Sequence, residues 1–463
     1  MKPNIMIVAM DCVTADSLSC YGYDKKTTPN IDEIAKNSLI FENAISASSW
    51  TLASTASLFT GKWVSHHLAC DEHQFLDKEH KTLAEYLSEN GYNTAAFSDS
   101  AYVNNLTGLD RGFENFYNIG FKSFSPKHKL VKLFKVLLQL RKRIQKKGFK
   151  YTDTYLQMGE VKDWISKNEQ KEPFFIYIHN DETHYPYYPP KKFLKRFAKI
   201  PRPTIENMIQ DREKILGESG VFEKTDFEML KTLYNAELAH LDYNLGRLFN
   251  FMKKKGILDN TILIITSDHG SNFGEHDLYG HSFCLYDSVI KIPLIIHYPK
   301  MFSQKRIQKP VQNIDVLPTL LDILNIDEND SIDGESICNL IQENNFRDFA
   351  ISEHSLQNVS LFDRNVKNPK PGLKEKYHTA LHAIRTEDKK YIWSSGEKHE
   401  LFDLKADPQE EDNIIQQYPD KTNELKNKLF SKAKKFNFES TKELDAESDE
   451  LLSKRLRSLG YIA

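Results

Sequence analysis

The chain has 463 residues and a formal net charge of −3, with 40% apolar and 11% aromatic residues. That apolar content is enough for a sizeable core and excludes global disorder. The near-neutral charge excludes a dedicated nucleic-acid binder and an acidic tail protein.

Taken in chain order, the first expected element is a strand over 5–10, in which an apolar run ends at Asp11. The run is short and no small-residue cleavage site follows it, so it does not read as a signal peptide. No stretch approaches the roughly 18 apolar residues of a membrane span, and the expectation is a cytoplasmic protein. Helices are expected over 31–36, 52–59 and 82–89, then a strand over 94–98. Residues 121–150 hold eleven Lys or Arg and no acidic residue. Leu130, Leu133, Phe134, Leu137 and Leu138 recur there at helical spacing. This is a basic amphipathic insert, read either as a helix packed on the domain or as a contact with an anionic membrane surface. Strands over 174–179, 261–266 and 292–297 and helices over 228–255 and 314–324 continue the alternation. Strands that are apolar on both faces and alternate with helices predict an α/β fold, a mostly parallel sheet sandwiched by helices. After about 345 the pattern shifts to short strands over 380–385, 391–394 and 400–404, an acidic stretch and a terminal helix. The expected organisation is a catalytic domain at 1–345 and a small C-terminal α+β subdomain at 346–463. The five cysteines (Cys12, Cys20, Cys70, Cys284, Cys338) include no CxxC pair, which predicts reduced thiols rather than a disulfide framework.

In a sheet of this kind ligands gather at the carboxyl ends of the strands. Asp11, His184 and the pair Asp268-His269 are all placed there. A carboxylate and an imidazole at strand ends are plausible ligands for a divalent cation. Thr51 falls at a helix start, where backbone N–H groups favour an anionic group and where a threonine also serves as an N-cap.

The run Ser48-Ser49-Trp50-Thr51-Leu52-Ala53-Ser54-Thr55-Ala56-Ser57-Leu58-Phe59-Thr60-Gly61 resembles the sulfatase family of alkaline-phosphatase-like enzymes. Thr51 aligns with the Cys or Ser that this family converts to formylglycine, Ala53 with its proline and Thr55 with its arginine. Thr266-Ser267-Asp268-His269-Gly270, His184-Tyr185-Pro186, 106–113, 315–321 and 400–408 extend the resemblance over nearly the whole chain except the basic insert. The resemblance implies a metal site of Asp11, Thr51, Asp268 and His269, with Thr51 as nucleophile and His184 and His281 contacting the anionic group of an ester. The family's second aspartate is replaced by Cys12. One divalent ion is expected (manganese, zinc or calcium), and the histidine donor suits manganese or zinc better. Asp181, His184 and His281 could instead hold a second metal.

Formylglycine expels sulfate through its second hydroxyl, a route that Thr51 lacks. On that ground the expected substrate is a phosphoric mono- or diester of a small molecule, glycan or lipid, with hydrolysis or transfer to an acceptor alcohol. Sulfuric ester hydrolysis is the alternative, and an inactive sulfatase-like binding protein the second alternative.

Overall fold

The computed structural model describes residues 2–119, 153–168, 173–210, 212–217, 222–328, 330–343, 346–355, 379–434 and 436. The basic insert at 121–150 lies outside the described residues, and with it the expected membrane contact. Among the described residues no helix is long and apolar enough to cross a membrane.

Eight strands form the main sheet: β1 (Asn4–Met10), β2 (Leu39–Phe41), β3 (Asn93–Ser98), β4 (Asn115–Asn118), β5 (Phe174–Asn180), β6 (Thr261–Thr266), β7 (Leu294–His297) and β8 (Lys305–Ile307). Their spatial order is β8-β2-β7-β6-β1-β5-β3-β4. All run one way except β7, which is antiparallel to both of its neighbours. The sheet is therefore mostly parallel, as the sequence predicts. The stretch expected as one strand over 292–297 splits at Pro293, because proline has no N–H to give to a ladder. Lys291 and Ile292 pair with Ala44–Ile45 in a separate small sheet, and β7 begins at Leu294.

Alternation along β1 explains the layering. Ile5, Ile7 and Ala9 face a core shared with α1 (Thr51–Thr60) and α2 (Val316–Leu324). Met6, Val8 and Met10 face the opposite core, built with α3 (Asp153–Asn168), α4 (Lys224–Lys254) and the short helix Pro29–Ala35. Both faces of the strand are thus covered, which is why β1 carries no polar residue between Ile5 and Met10.

Near the C-terminus, β9 (Ala350–His354), β10 (Leu381–Arg385), β11 (Lys389–Ser394) and β12 (Glu400–Asp403) form an antiparallel sheet in chain order. The helix Pro419–Lys432 buries Leu425 and Leu429 against it. This small sheet braces one loop of the main domain. Asp287 accepts from Arg385 Nη2 at 2.9 Å and Lys390 Nζ at 2.8 Å. Arg385 and Lys390 beside it, outweighing burial, hold the Asp287 carboxyl far below the usual range. Tyr286 donates its hydroxyl to Glu400. The segment from His281 to Asp287 is therefore fixed at its far end by charged pairs that solvent barely reaches.

Candidate active site

The carboxyl ends of β1, β5 and β6 lie side by side, and each delivers one part of the site. Asp11 follows β1, its N–H bonded to the Asn180 carbonyl at 2.9 Å. Cys12 then takes a φ of +63°, a sparsely populated region for a residue with a Cβ. The chain turns back there, and the N–H groups of Cys12 and Val13 reach Asp268 Oδ1 at 3.3 Å and Ser267 Oγ at 3.0 Å. The Asp268 carbonyl accepts from Ser54 Oγ at 2.6 Å, which ties α1 to the loop after β6. Gly270 is required by space: a Cβ there would lie 2.4 Å from Thr14 Cγ2 and 2.5 Å from the Ser288 carbonyl.

Thr51 is the first residue of α1 and is buried. The helix cap position belongs to Trp50, which offers no capping side chain. The expectation that Thr51 also caps the helix is corrected accordingly: its Oγ1 instead lies 3.2 Å from His269 Nε2. His269 Nδ1 is 3.0 Å from the Gly270 carbonyl. A carbonyl only accepts, so Nδ1 donates there and Nε2 is the ring atom that faces Thr51 and the two aspartates. His269 Nε2 is 3.8 Å from Asp11 Oδ1 and 3.4 Å from Asp268 Oδ2.

Both carboxylate oxygens of Asp11 and Oδ2 of Asp268 are buried and have no hydrogen-bond partner among the described residues. Two desolvated carboxylates aimed at one point need a positive charge between them. Burial raises the Asp11 carboxyl, but the neighbouring imidazoles of His179, His184 and His269 take it well below the ordinary range. Asp268 moves the other way, pushed up by burial and by the charge of Asp11. The donor set fits a divalent metal, and the fourth group facing the point is His179. Asp11, His179 and Asp268 bring one ligating atom each within 4.8 Å of one another. His179 is not among the site residues expected from the sequence. The available signal was an imidazole on the same face of a buried strand as Phe175 and Tyr177, since a polar residue so placed needs a partner.

His184 and His281 do come together, with their Nε2 atoms 3.3 Å apart. His184 Nδ1 is 2.6 Å from the Tyr185 carbonyl, and His281 Nδ1 is 2.7 Å from Ser282 Oγ. The His281 ring stacks on that of His269 with centroids 4.2 Å apart. Burial, then the charges of His269 and His184, hold His281 well below the usual imidazole range. Asp181 does not join them as a ligand group. Among the described residues the other clusters of ligating atoms are Cys12 with His269 and His281, and Glu182 with Glu237 and His240. The main chain of Asp181 is used locally: its N–H donates to Asp99 Oδ1 at 2.9 Å and its carbonyl accepts from the His184 N–H.

The model of the family described as Sulfatase matches residues 3–326, and that described as N-sulphoglucosamine sulphohydrolase, C-terminal, matches 274–437. The chain belongs to the sulfatase family. An arylsulfatase of Clostridium perfringens is 26% identical, with 90% of each chain covered. An N-acetylglucosamine-6-O-sulfatase of Bacteroides thetaiotaomicron is 24% identical, over 92% of this chain and 85% of its own. Among solved structures, a phosphonate monoester hydrolase of Agrobacterium radiobacter superposes with a TM-score of 0.75 at 21% identity, covering 93% of this chain and 95% of its own, and shares the alkaline-phosphatase-like fold. The chain is thus an ester hydrolase of this superfamily.

The expected phosphoric ester is corrected by these sulfatases. The similarity to named sulfatases spans about nine-tenths of the chain, whereas the phosphonate hydrolase shares the fold at lower identity. Thr51 bears on how the nucleophile is cleared in the second half of a reaction, and not on which anionic group the rest of the pocket receives.

Proposed function

We propose that the chain hydrolyses sulfate esters with Thr51 as nucleophile, beside a divalent ion held by Asp11, Asp268, His269 and the Thr51 oxygen. The observation that carries this reading is Thr51 Oγ1 lying 3.2 Å from His269 Nε2 at the start of α1, next to the unpartnered carboxylate oxygens. The imidazole donor favours zinc or manganese over calcium. When bound, the ion supplies positive charge that favours the Thr51 alkoxide and offsets charge on the sulfuryl oxygens.

The chain's own groups account for the remaining steps. Thr51 Oγ1 bonds to sulfur as the bond from sulfur to the leaving alcohol oxygen breaks. The proton from Thr51 ends on that alcohol through the His184–His281 pair. Water then attacks the sulfur of the Thr51 sulfate ester. The same pair passes a proton from that water to Thr51 Oγ1, which restores the threonine and releases hydrogen sulfate. The burial of Thr51, His184 and His281 keeps bulk water from competing in the first step.

The relatives suggest aryl sulfates and sulfated amino sugars as substrates. The test is a panel of an aryl sulfate, N-acetylglucosamine 6-sulfate, and the corresponding phosphate mono- and diesters, assayed on metal-replete enzyme. Sulfate release is expected with kcat/KM at least about tenfold above the best phosphate ester, about 1.4 kcal/mol in transition-state binding. A phosphate ester preferred by the same margin would contradict the reading.

A further inference from the structure

His179 stands next to last in β5, with Ala9 of β1 on one side and Ser98 of β3 on the other. Its side chain is fully buried. Nε2 is 3.5 Å from Asp11 Oδ2 and 3.9 Å from Asp268 Oδ2, and it has no hydrogen-bond partner among the described residues. A hydrogen bond between nitrogen and oxygen closes to about 2.7–3.2 Å, so neither contact is a formed one. Around a tetrahedral ion with bonds of about 2.1 Å, by contrast, neighbouring ligand atoms stand about 3.4 Å apart. His269 Nε2 makes the matching contacts from the other side, 3.8 Å to Asp11 Oδ1 and 3.4 Å to Asp268 Oδ2. Two imidazoles and two carboxylates thus alternate around one point at ligand spacing. The His179 ring is steered from behind, with Nδ1 3.0 Å from the Tyr177 hydroxyl, the outer partner that a metal-bound histidine ordinarily has. The Tyr177 ring packs edge-on against Phe59 of α1, with centroids 4.8 Å apart.

We propose that His179 is a further protein ligand, joining Asp11, Asp268, His269 and the Thr51 oxygen in a set whose two imidazoles select a zinc-class ion over calcium. This rests on the reading that Asp11, Asp268 and His269 hold a metal. Calcium takes six to eight oxygen ligands, and two imidazoles facing the site leave it short of them.

The test uses full-length protein stripped with a chelator and titrated with zinc, cobalt(II) and calcium. Cobalt(II) absorption reports the donor set without any assay of activity. In His179→Phe, which keeps most of the ring volume, zinc and cobalt affinity is expected to fall about tenfold or more, with a changed cobalt spectrum. Excess calcium is expected not to displace zinc from the wild type. X-ray absorption of the wild-type zinc protein, which needs no variant to fold, is expected to count two imidazoles. One imidazole, or wild-type zinc affinity and cobalt spectrum in folded His179→Phe, would overturn the role of His179. Asp268→Asn separates the two readings: if it loses metal while His179→Phe does not, only His179 is removed from the set. If neither loses metal, the site itself is misplaced.

Discussion

Thr51→Ala is expected to lower kcat by about 10³-fold or more while the protein stays folded, because losing a nucleophile removes the covalent route as a whole. The structural cost is small. The side chain caps no helix, and its one recorded hydrogen bond, to His269, is of a kind worth about 1 kcal/mol. Thr51→Ser keeps the hydroxyl at the same backbone position and is expected to retain measurable turnover. Circular dichroism and thermal melts of both variants, read beside kcat, separate lost chemistry from lost structure. Wild-type turnover by folded Thr51→Ala would remove Thr51 from the mechanism.

Asp268→Asn has the second largest expected effect, and its sign differs between the metal-free and metal-bound protein. The carboxylate stands across from Asp11, with Oδ2 unpartnered and Oδ1 accepting two backbone N–H groups. An asparagine can keep the oxygen that accepts those N–H groups while removing a buried like charge. Metal-free Asp268→Asn is therefore expected to melt at or above the metal-free wild type. With the ligand gone, bound metal is expected to fall by about 100-fold in affinity. The stabilisation that added zinc gives the wild type should vanish with it, since a ligand stabilises only through its affinity for the folded state. Activity should fall in step. Elemental analysis beside melts with and without zinc checks each part, and full occupancy with unchanged activity would sink the assignment.

The legible parts of the molecule were those written in local pattern. The apolar runs of β1, β5 and β6 announced buried parallel strands, and the sulfatase-like frame around Thr51 and Asp268 marked the start of α1 and the loop after β6. Leu39–Phe41, Asn115–Asn118 and Lys305–Ile307 were missed because three or four residues carry too little periodicity to stand out. The reversed direction of β7 was not legible, because side-chain alternation reads the same in either direction. At the site, the contact between His184 and His281 joins residues 97 apart in sequence, and it was the family resemblance, beside the strand-end rule, that put the two at one anionic group. His179 was overlooked for a related reason. Its polarity looked like the end of a strand, and nothing local says that its lone pair meets carboxylates from β1 and from the loop after β6.

The most direct test of sulfate-ester cleavage at Thr51 is to catch the group on the residue. Metal-replete enzyme turning over an aryl sulfate is quenched in acid, digested and analysed by peptide mass spectrometry. Sulfate should be found on Thr51, accumulating because a threonine sulfate lacks the expulsion route of formylglycine, and on the serine of Thr51→Ser. Steady release of sulfate with the Thr51 peptide unmodified at every time point would contradict the account.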